Sequence, residues 1–149
     1  VGIMTDIIKS VEKELKNKDP FNNRIGQSGD NRSAIGKAVK IISENLNIDS
    51  IVVMTESGET ARVVSHFRTR ANVFGLSPHM KICNRMSLMW GIKPIQTKEY
   101  ISTDDMLINA EKILLDKAFM KKGETFVLTA GVPVGVSGST NMLQIQKIV

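Results

Sequence analysis

Three hydroxyls fall within six residues at Thr55, Ser57 and Thr60, in the stretch TESGET, and Gly58 stands among them. The apolar run SIVVM precedes this stretch and ARVVSHF follows it with helical spacing. The order is therefore strand, short loop, helix. The first N–H groups of a helix have no intrahelical partner, and the positive end of the helix dipole lies there. A glycine lets the backbone approach closely, and hydroxyls add donors. Such a loop suits a phosphate monoester. It is not a Walker loop, because the lysine and the G-x-x-x-x-G frame are absent. Glu56 and Glu59 put negative charge into the same loop, and at close range they oppose an anion unless they point away. The competing reading is a plain capping turn. Ser57 or Thr55 would then cap the helix, and Glu59 would fill an acidic first-turn position.

A second stretch, GVPVGVSGSTN, packs three glycines, a proline and several small polar residues into one connection. Gly135, Val136, Ser137, Gly138, Ser139 and Thr140 could form a lid beside the first loop. A long hairpin connection is the alternative, although loops of this length usually carry function. The other reactive residues read as structural. Cys83 lies in a helical pattern with no base beside it and suits a buried structural thiol. His66 falls near a helix end, where a cation meets the dipole favourably. His79 follows Pro78 at a helix start and reads as solvated, and Trp90 before Gly91 reads as core packing. No nucleophile–base–acid set, carboxylate pair or metal cluster is apparent. The residues alone describe a chain that binds or assembles.

The totals narrow the classes. The chain has 149 residues, which suits one domain, with 42% hydrophobic and 23% charged residues. No apolar stretch approaches the ~20 residues of a membrane-spanning helix, and the start has no basic, cleavable leader. A first residue of Val rather than Met suggests a piece of a longer chain. One cysteine permits no internal disulfide and suits a reducing, cytoplasmic setting. Net charge is +5, but lysines and arginines are dispersed and stacking aromatics are few, so nucleic acid is not the expected partner. No membrane partner is expected either.

Periodicity supplies the elements that must position the loop. Apolar residues at 3, 4, 7, 8, 11 and 15 predict an amphipathic helix. Pro20, Gly26 and Gly29 then break the pattern. AIGKAVKIISENL predicts a second helix with Ala34, Ile35, Ala38, Val39, Ile42 and Leu46 on one face and Asn31 or Ser33 as cap. From residue 50, strands and helices alternate: SIVVMT, GETARVVSHFR, NVFGLS, HMKICNRMSLMW, IKPIQT, TDDMLINAEKILLDKAFM, ETFVLTAG, MLQIQKIV. Pro94 makes IKPIQT an edge strand. Thr103 is the expected cap of the long helix, with Asp104 and Asp105 in its first turn. The alternation predicts a three-layer α/β/α domain with a mixed sheet of about five strands. The last strand is antiparallel, because about ten residues are too few for a parallel crossover. Residues 1–20 read as a lead-in helix, 21–33 as a loop and 34–149 as the α/β core of a single domain. Ligands of open α/β sheets bind beyond the carboxyl ends of the strands. TESGET, SPHMK and the glycine-rich stretch all lie there.

IVVMTESGETARVVSHFR, MSLMWGIKPI and KKGETFVLTAGVPVGVSGSTNMLQI together resemble the carboxy-terminal domain of pyruvate kinases, and VGIMTDIIKSVEKEL resembles the segment leading out of that enzyme's catalytic barrel. The likeness runs in order over nearly the whole chain. It is most specific at T-x-S-G-x-T-A and at TAGVPVG with GSTN. It implies a parent enzyme that converts phosphoenolpyruvate and ADP to pyruvate and ATP in glycolysis, with magnesium and potassium bound in a barrel these residues do not include. It implies no catalytic residue and no cofactor in this domain, which would instead bind an effector and join subunits of a tetramer. An effector phosphate would lie on Thr55, Glu56, Ser57, Gly58, Glu59 and Thr60, under the lid of residues 135–140. The first helices and the last strand would lie near the subunit contact. Members regulated by fructose 1,6-bisphosphate use a Trp and an Arg before and within the fourth helix. TKEYISTDDMLINAEKILL has neither. The implied effector is thus a sugar monophosphate or a nucleotide. Two other readings stay open: a stand-alone phosphate-binding module, and a purely structural oligomerisation domain.

Overall fold

Val52 and Met54 point to one side of the first strand and Ile51 and Val53 to the other, and all four are buried. A strand buried on both faces must lie inside a sheet covered by helices on both sides. The computed structural model has that form and describes residues 2–15, 30–133 and 140–149. Its elements are α1 (Gly2–Leu15), α2 (Asn31–Asn45), β1 (Ser50–Met54), α3 (Glu59–His66), β2 (Asn72–Ser77), α4 (Met80–Met86), β3 (Ile92–Gln96), α5 (Thr103–Asp116), β4 (Thr125–Gly131) and β5 (Thr140–Lys147).

The sheet runs β3-β2-β1-β4-β5. Its first four strands pair in parallel and β5 pairs antiparallel to β4, with a register shift between Ala130 and Gly131. β3, which carries Pro94, is an edge, as its sequence predicts. β5 is the other edge. One core places Val52, Phe74, Leu76, Phe126 and Leu128 against Met106, Ala110 and Leu114 of α5. The second places Ile51, Val53, Val73 and Val127 against Val39 of α2, Ala61 and Val64 of α3, and Cys83 and Met86 of α4. The mixed five-stranded α/β/α arrangement matches the sequence expectation.

Several boundaries differ from it. α2 begins at Asn31 because Asp30 caps it, its Oδ1 accepting from Ser33 N at 2.8 Å, so neither Asn31 nor Ser33 is the cap. Ala34 and Leu46, expected on its buried face, are exposed, and Gly36, Lys40 and Ser43 are buried with Val39. α5 is capped by Ser102, whose Oγ accepts from Asp105 N, not by Thr103. α4 ends at Met86, well short of Trp90. Ser87 turns its hydroxyl back onto Asn84 O, a bond that competes with helix continuation. β5 starts at Thr140, two residues before its alternating pattern begins. Most of the expected 21–33 loop, and residues 134–139, lie outside the described residues.

The lead-in helix forms as α1, but its apolar stripe stays open. Ile3, Met4, Ile7, Ile8 and Val11 are all at least half exposed. Trp90 Nε1 donates to Glu12 Oε1 at 3.3 Å, which joins α1 to the body. Trp90 is therefore no core residue. It is 38% exposed, with the Arg68 guanidinium 4.4 Å above its ring and its carbonyl taken by Ser65 Oγ.

Candidate functional site

β1 ends by handing its ladder to the loop. Thr55 N still donates to Leu76 O of β2, at 3.0 Å. The chain then leaves the sheet, and Thr55 Oγ1 accepts from Gly58 N at 2.9 Å, closing a tight turn. Gly58 sits at φ +83°, ψ −4°, the left-handed region that only glycine enters without strain. It is the N-cap of α3, and no side chain caps that helix. Of the capping alternative, Glu59 does take the acidic first-turn position, but neither hydroxyl caps the helix: Thr55 serves the turn, and the N-cap is Gly58 with no side-chain bond. α2 and α5 show the contrast, since each carries a carboxylate or hydroxyl cap. The head of α3 presents its amides with no side chain across them, beside the half-buried Ser57.

Thr60 is buried, and its hydroxyl stands 2.6 Å from that of Thr140. That bond joins the first loop to the start of β5. Of the expected lid residues, Thr140 is therefore placed against the site; Gly135, Val136, Ser137, Gly138 and Ser139 lie outside the described residues. Asn141 was not singled out by its sequence. Its Oδ1 accepts from Val132 N at 2.8 Å and its Nδ2 donates to Val132 O at 2.6 Å, pinning the two ends of that connection together.

Both loop glutamates have cationic or titratable partners. Glu59, in the first turn of α3, takes Nε and Nη2 of Arg62 on one oxygen, at 3.0 and 2.8 Å. This hydrogen bonding holds the Glu59 carboxyl below its usual range; burial opposes it, and the charges of Arg62, Arg32 and Arg85 reinforce it. Glu56 Oε2 lies 2.9 Å from His79 Nε2, so His79 is a partner and not merely solvated. The pair joins the loop after β1 to the SPHMK segment after β2, where Ser77 Oγ accepts from His79 N at 3.3 Å. The connection after β3 contributes Tyr100. Its hydroxyl is buried with no hydrogen-bond partner among the described residues. Burial raises its pKa to about 12, Asp105 and Glu56 push the same way, and Thr97 opposes them. The structure thus gathers segments following four strands at one end of the sheet. The sequence signals for Arg62, His79 and Tyr100 were their places within a turn or two of those strand ends.

The remaining candidates stay structural. Cys83 is buried, donates to Ser77 O at 3.7 Å and has its thiol pKa raised by burial. His66 occupies the last turn of α3. Among the described residues no three His, Cys, Asp or Glu side chains are grouped to hold a metal ion, and no helix is long and apolar enough to cross a membrane. A cavity of about 400 Å³ opens at the opposite end of the sheet, beside Leu46, Asp49, Phe119 and Glu124. It lies at the amino ends of the parallel strands, where open α/β sheets do not place their ligands.

The sequence profile of the pyruvate kinase alpha/beta domain matches residues 33–146. A pyruvate kinase of Clostridium acetobutylicum is 32% identical over 149 residues, 99% of this chain and 32% of that protein. One from Staphylococcus aureus is 36% identical over 116 residues, 78% of this chain and 20% of that protein. The chain thus spans a third or less of these relatives. The crystal structure of a pyruvate kinase from Cryptosporidium parvum superposes with a TM-score of 0.73 over 83% of this chain and 24% of that one, at 17% identity, a likeness of fold.

Proposed function

The chain belongs to the pyruvate kinase alpha/beta domain family, and on that premise we propose that it is the effector-binding and subunit-assembly domain of a pyruvate kinase. In this reading it turns over no phosphoenolpyruvate itself. The catalytic groups, with magnesium and potassium, belong to a barrel outside these residues, and the whole enzyme works in the cytoplasm. The effector is a phosphate monoester, a sugar phosphate or a nucleotide. Its phosphate sits at the head of α3, against the amides following Gly58 and the hydroxyl of Ser57.

The observation that carries this reading is the start of α3. A left-handed glycine held by Thr55 opens the helix, and no side chain caps it. A helix start left without a side-chain cap favours an anion there through both its N–H groups and its dipole. The assembly role is supported by β5, an eight-residue edge strand with one charged residue, Lys147. Such an edge pairs readily with a second copy.

The test is a thermal-shift series on the chain with ribose 5-phosphate, glucose 6-phosphate, AMP, fructose 1,6-bisphosphate and inorganic phosphate, repeated with Ser57→Ala. A ligand at 100 times its Kd stabilises by about 2.7 kcal/mol, a shift of several degrees at this size. Stabilisation by one monophosphate that Ser57→Ala removes is the expected result. Silence from every ligand would sink the effector role and leave an assembly domain.

A further inference from the structure

Trp90 is the chain's one tryptophan, and three other residues hold three of its parts. The Arg68 guanidinium lies over its ring, 4.4 Å from the centroid. Its carbonyl accepts from Ser65 Oγ at 2.8 Å. Its ring N–H donates to Glu12 of α1 at 3.3 Å. Ser65 is buried in the last turn of α3, and Arg68 stands just beyond that turn, its N donating to Ser65 O at 3.2 Å. The head of the same helix is the turn at Gly58, and eight residues of α-helix span only about 12 Å. A second route is shorter. A Cβ built on Gly58 would stand 3.7 Å from Met89 Cε and 3.9 Å from Met86 Cγ, and Met89 immediately precedes Trp90. The turn that opens α3 is thus packed to Trp90 both along its own helix and through the tail of α4, and Trp90 is bonded in turn to α1.

Close-packed elements pass a displacement on rather than absorb it. α3 buries Thr60, Ala61, Val64 and Ser65 along one face and is anchored at its tail by Trp90. Resting on the reading that an anion binds at the head of α3, we propose that Trp90 is the joint that couples this head to α1. An anion that orders the first amides of α3 removes freedom from the Gly58 turn. The loss of freedom reaches Trp90 through Ser65, Arg68 and Met89, and Trp90 then holds Glu12 more firmly. Trp90 is a positioning residue in this scheme. It acts through α3 and α1 and not on the ligand.

The test follows three signals: Tm for binding, Trp90 emission for the joint, and amide hydrogen exchange of residues 2–15 for α1. The probes are ribose 5-phosphate, glucose 6-phosphate, AMP and inorganic phosphate. Charges on both sides of the indole, Arg68 and Glu12, make its emission sensitive to small shifts. A probe that raises Tm should shift Trp90 emission with the same midpoint and slow exchange in α1. Trp90→Phe keeps an aromatic ring and loses the N–H, so it should keep the Tm rise and lose the α1 response. A purely structural Trp90 would alter the basal exchange of α1 but not its dependence on the probe. A Tm rise without an emission shift or slower α1 exchange, or an α1 response that survives Trp90→Phe, would overturn the proposal. If no probe raises Tm, the effector reading fails, and two ligand-free variants decide the coupling. Gly58→Ala strains the turn and should shift Trp90 emission and speed exchange in α1. Gly123→Ala, at φ +88° with open space around its Cβ and three strands from β3 in the sheet, should do neither. Equal responses from the two variants, or none from Gly58→Ala, would overturn the coupling as well.

Discussion

Gly58→Ala separates the turn that opens α3 from general stability. The added Cβ would stand 3.4 Å from Ile82 Cγ2, which is ordinary contact, so the cost lies in the backbone at φ +83°. An L-residue held in that region costs about 1–2 kcal/mol. Removing a glycine from the unfolded chain offsets about 0.4–1 kcal/mol of this. The net loss is about 1 kcal/mol, or about 2–4 °C in Tm at this size. Asn tolerates the left-handed region, so Gly58→Asn should lose roughly half as much. Gly91 provides the control: its φ is +70°, and an added Cβ would find nothing within 4 Å. Gly91→Ala should thus cost about the same stability as Gly58→Ala. The assay is urea denaturation of all three variants, with and without the phosphate ligand that stabilises the parent chain. Gly58→Ala should lose the ligand's stabilisation, because relaxing the turn swings the Glu59 amide away from the anion. Gly91→Ala should keep it. Equal retention by both variants would refute the claim that this turn presents the amides. A Gly58→Asn as damaging as Gly58→Ala would refute the strain argument.

Two further outcomes follow from packing and titration. Gly36→Ala drives a methyl into Phe67 and Val63. It should destabilise by about 1–3 kcal/mol despite alanine's better helix propensity, and Phe67→Leu in the same chain should recover part of the loss in denaturant melts. No loss in Gly36→Ala would mean that α2 and α3 can separate freely. Tyr100 has its folded-state pKa raised to about 12 from 10.0. A raised value means that its contribution is complete below pH 10 and is lost as pH climbs toward 12. Tyr100→Phe should flatten that alkaline fall. At neutral pH it should be neutral or slightly stabilising, because the buried hydroxyl has no partner to lose. An unchanged alkaline melt would place the titration elsewhere.

The fold was legible because its signals are local. β1 and β2 are continuous apolar runs, which marks strands buried on both faces. Pro94 identified an edge, and the short connection before the last strand forced it antiparallel. The errors were also local, and they came from neighbouring residues competing for one role. Asp30, Asn31 and Ser33 could all cap α2, as Ser102 and Thr103 could α5, and all four residue types make good caps. Only the backbone angles decide which residue sits just outside the helix. Trp90 was misplaced for a different reason. A large aromatic is normally buried, yet this one stacks under Arg68 and reaches Glu12 at the surface.

The site was legible only as far as single segments could carry it. The hydroxyls, the glycine and the strand–loop–helix order were visible in TESGET, and so was the threat posed by its two glutamates. What those glutamates do depends on residues elsewhere. Glu59 meets Arg62 within its own helix, a spacing that could have been read directly, since three residues apart is one turn. Glu56 meets His79, 23 residues away, which only the parallel pairing of β1 and β2 brings near. Thr60 meets Thr140 across 80 residues, through the antiparallel return of β5. Charge counted along the sequence made the loop look hostile to anions. Counted in space, each carboxylate has a partner, because Arg62 engages Glu59 and His79 stands against Glu56. The open head of α3 and the occupied Arg62 are therefore separate features of one loop: in the proposed reading the first is where a phosphate would sit, and the second keeps the nearest carboxylate engaged within its own helix.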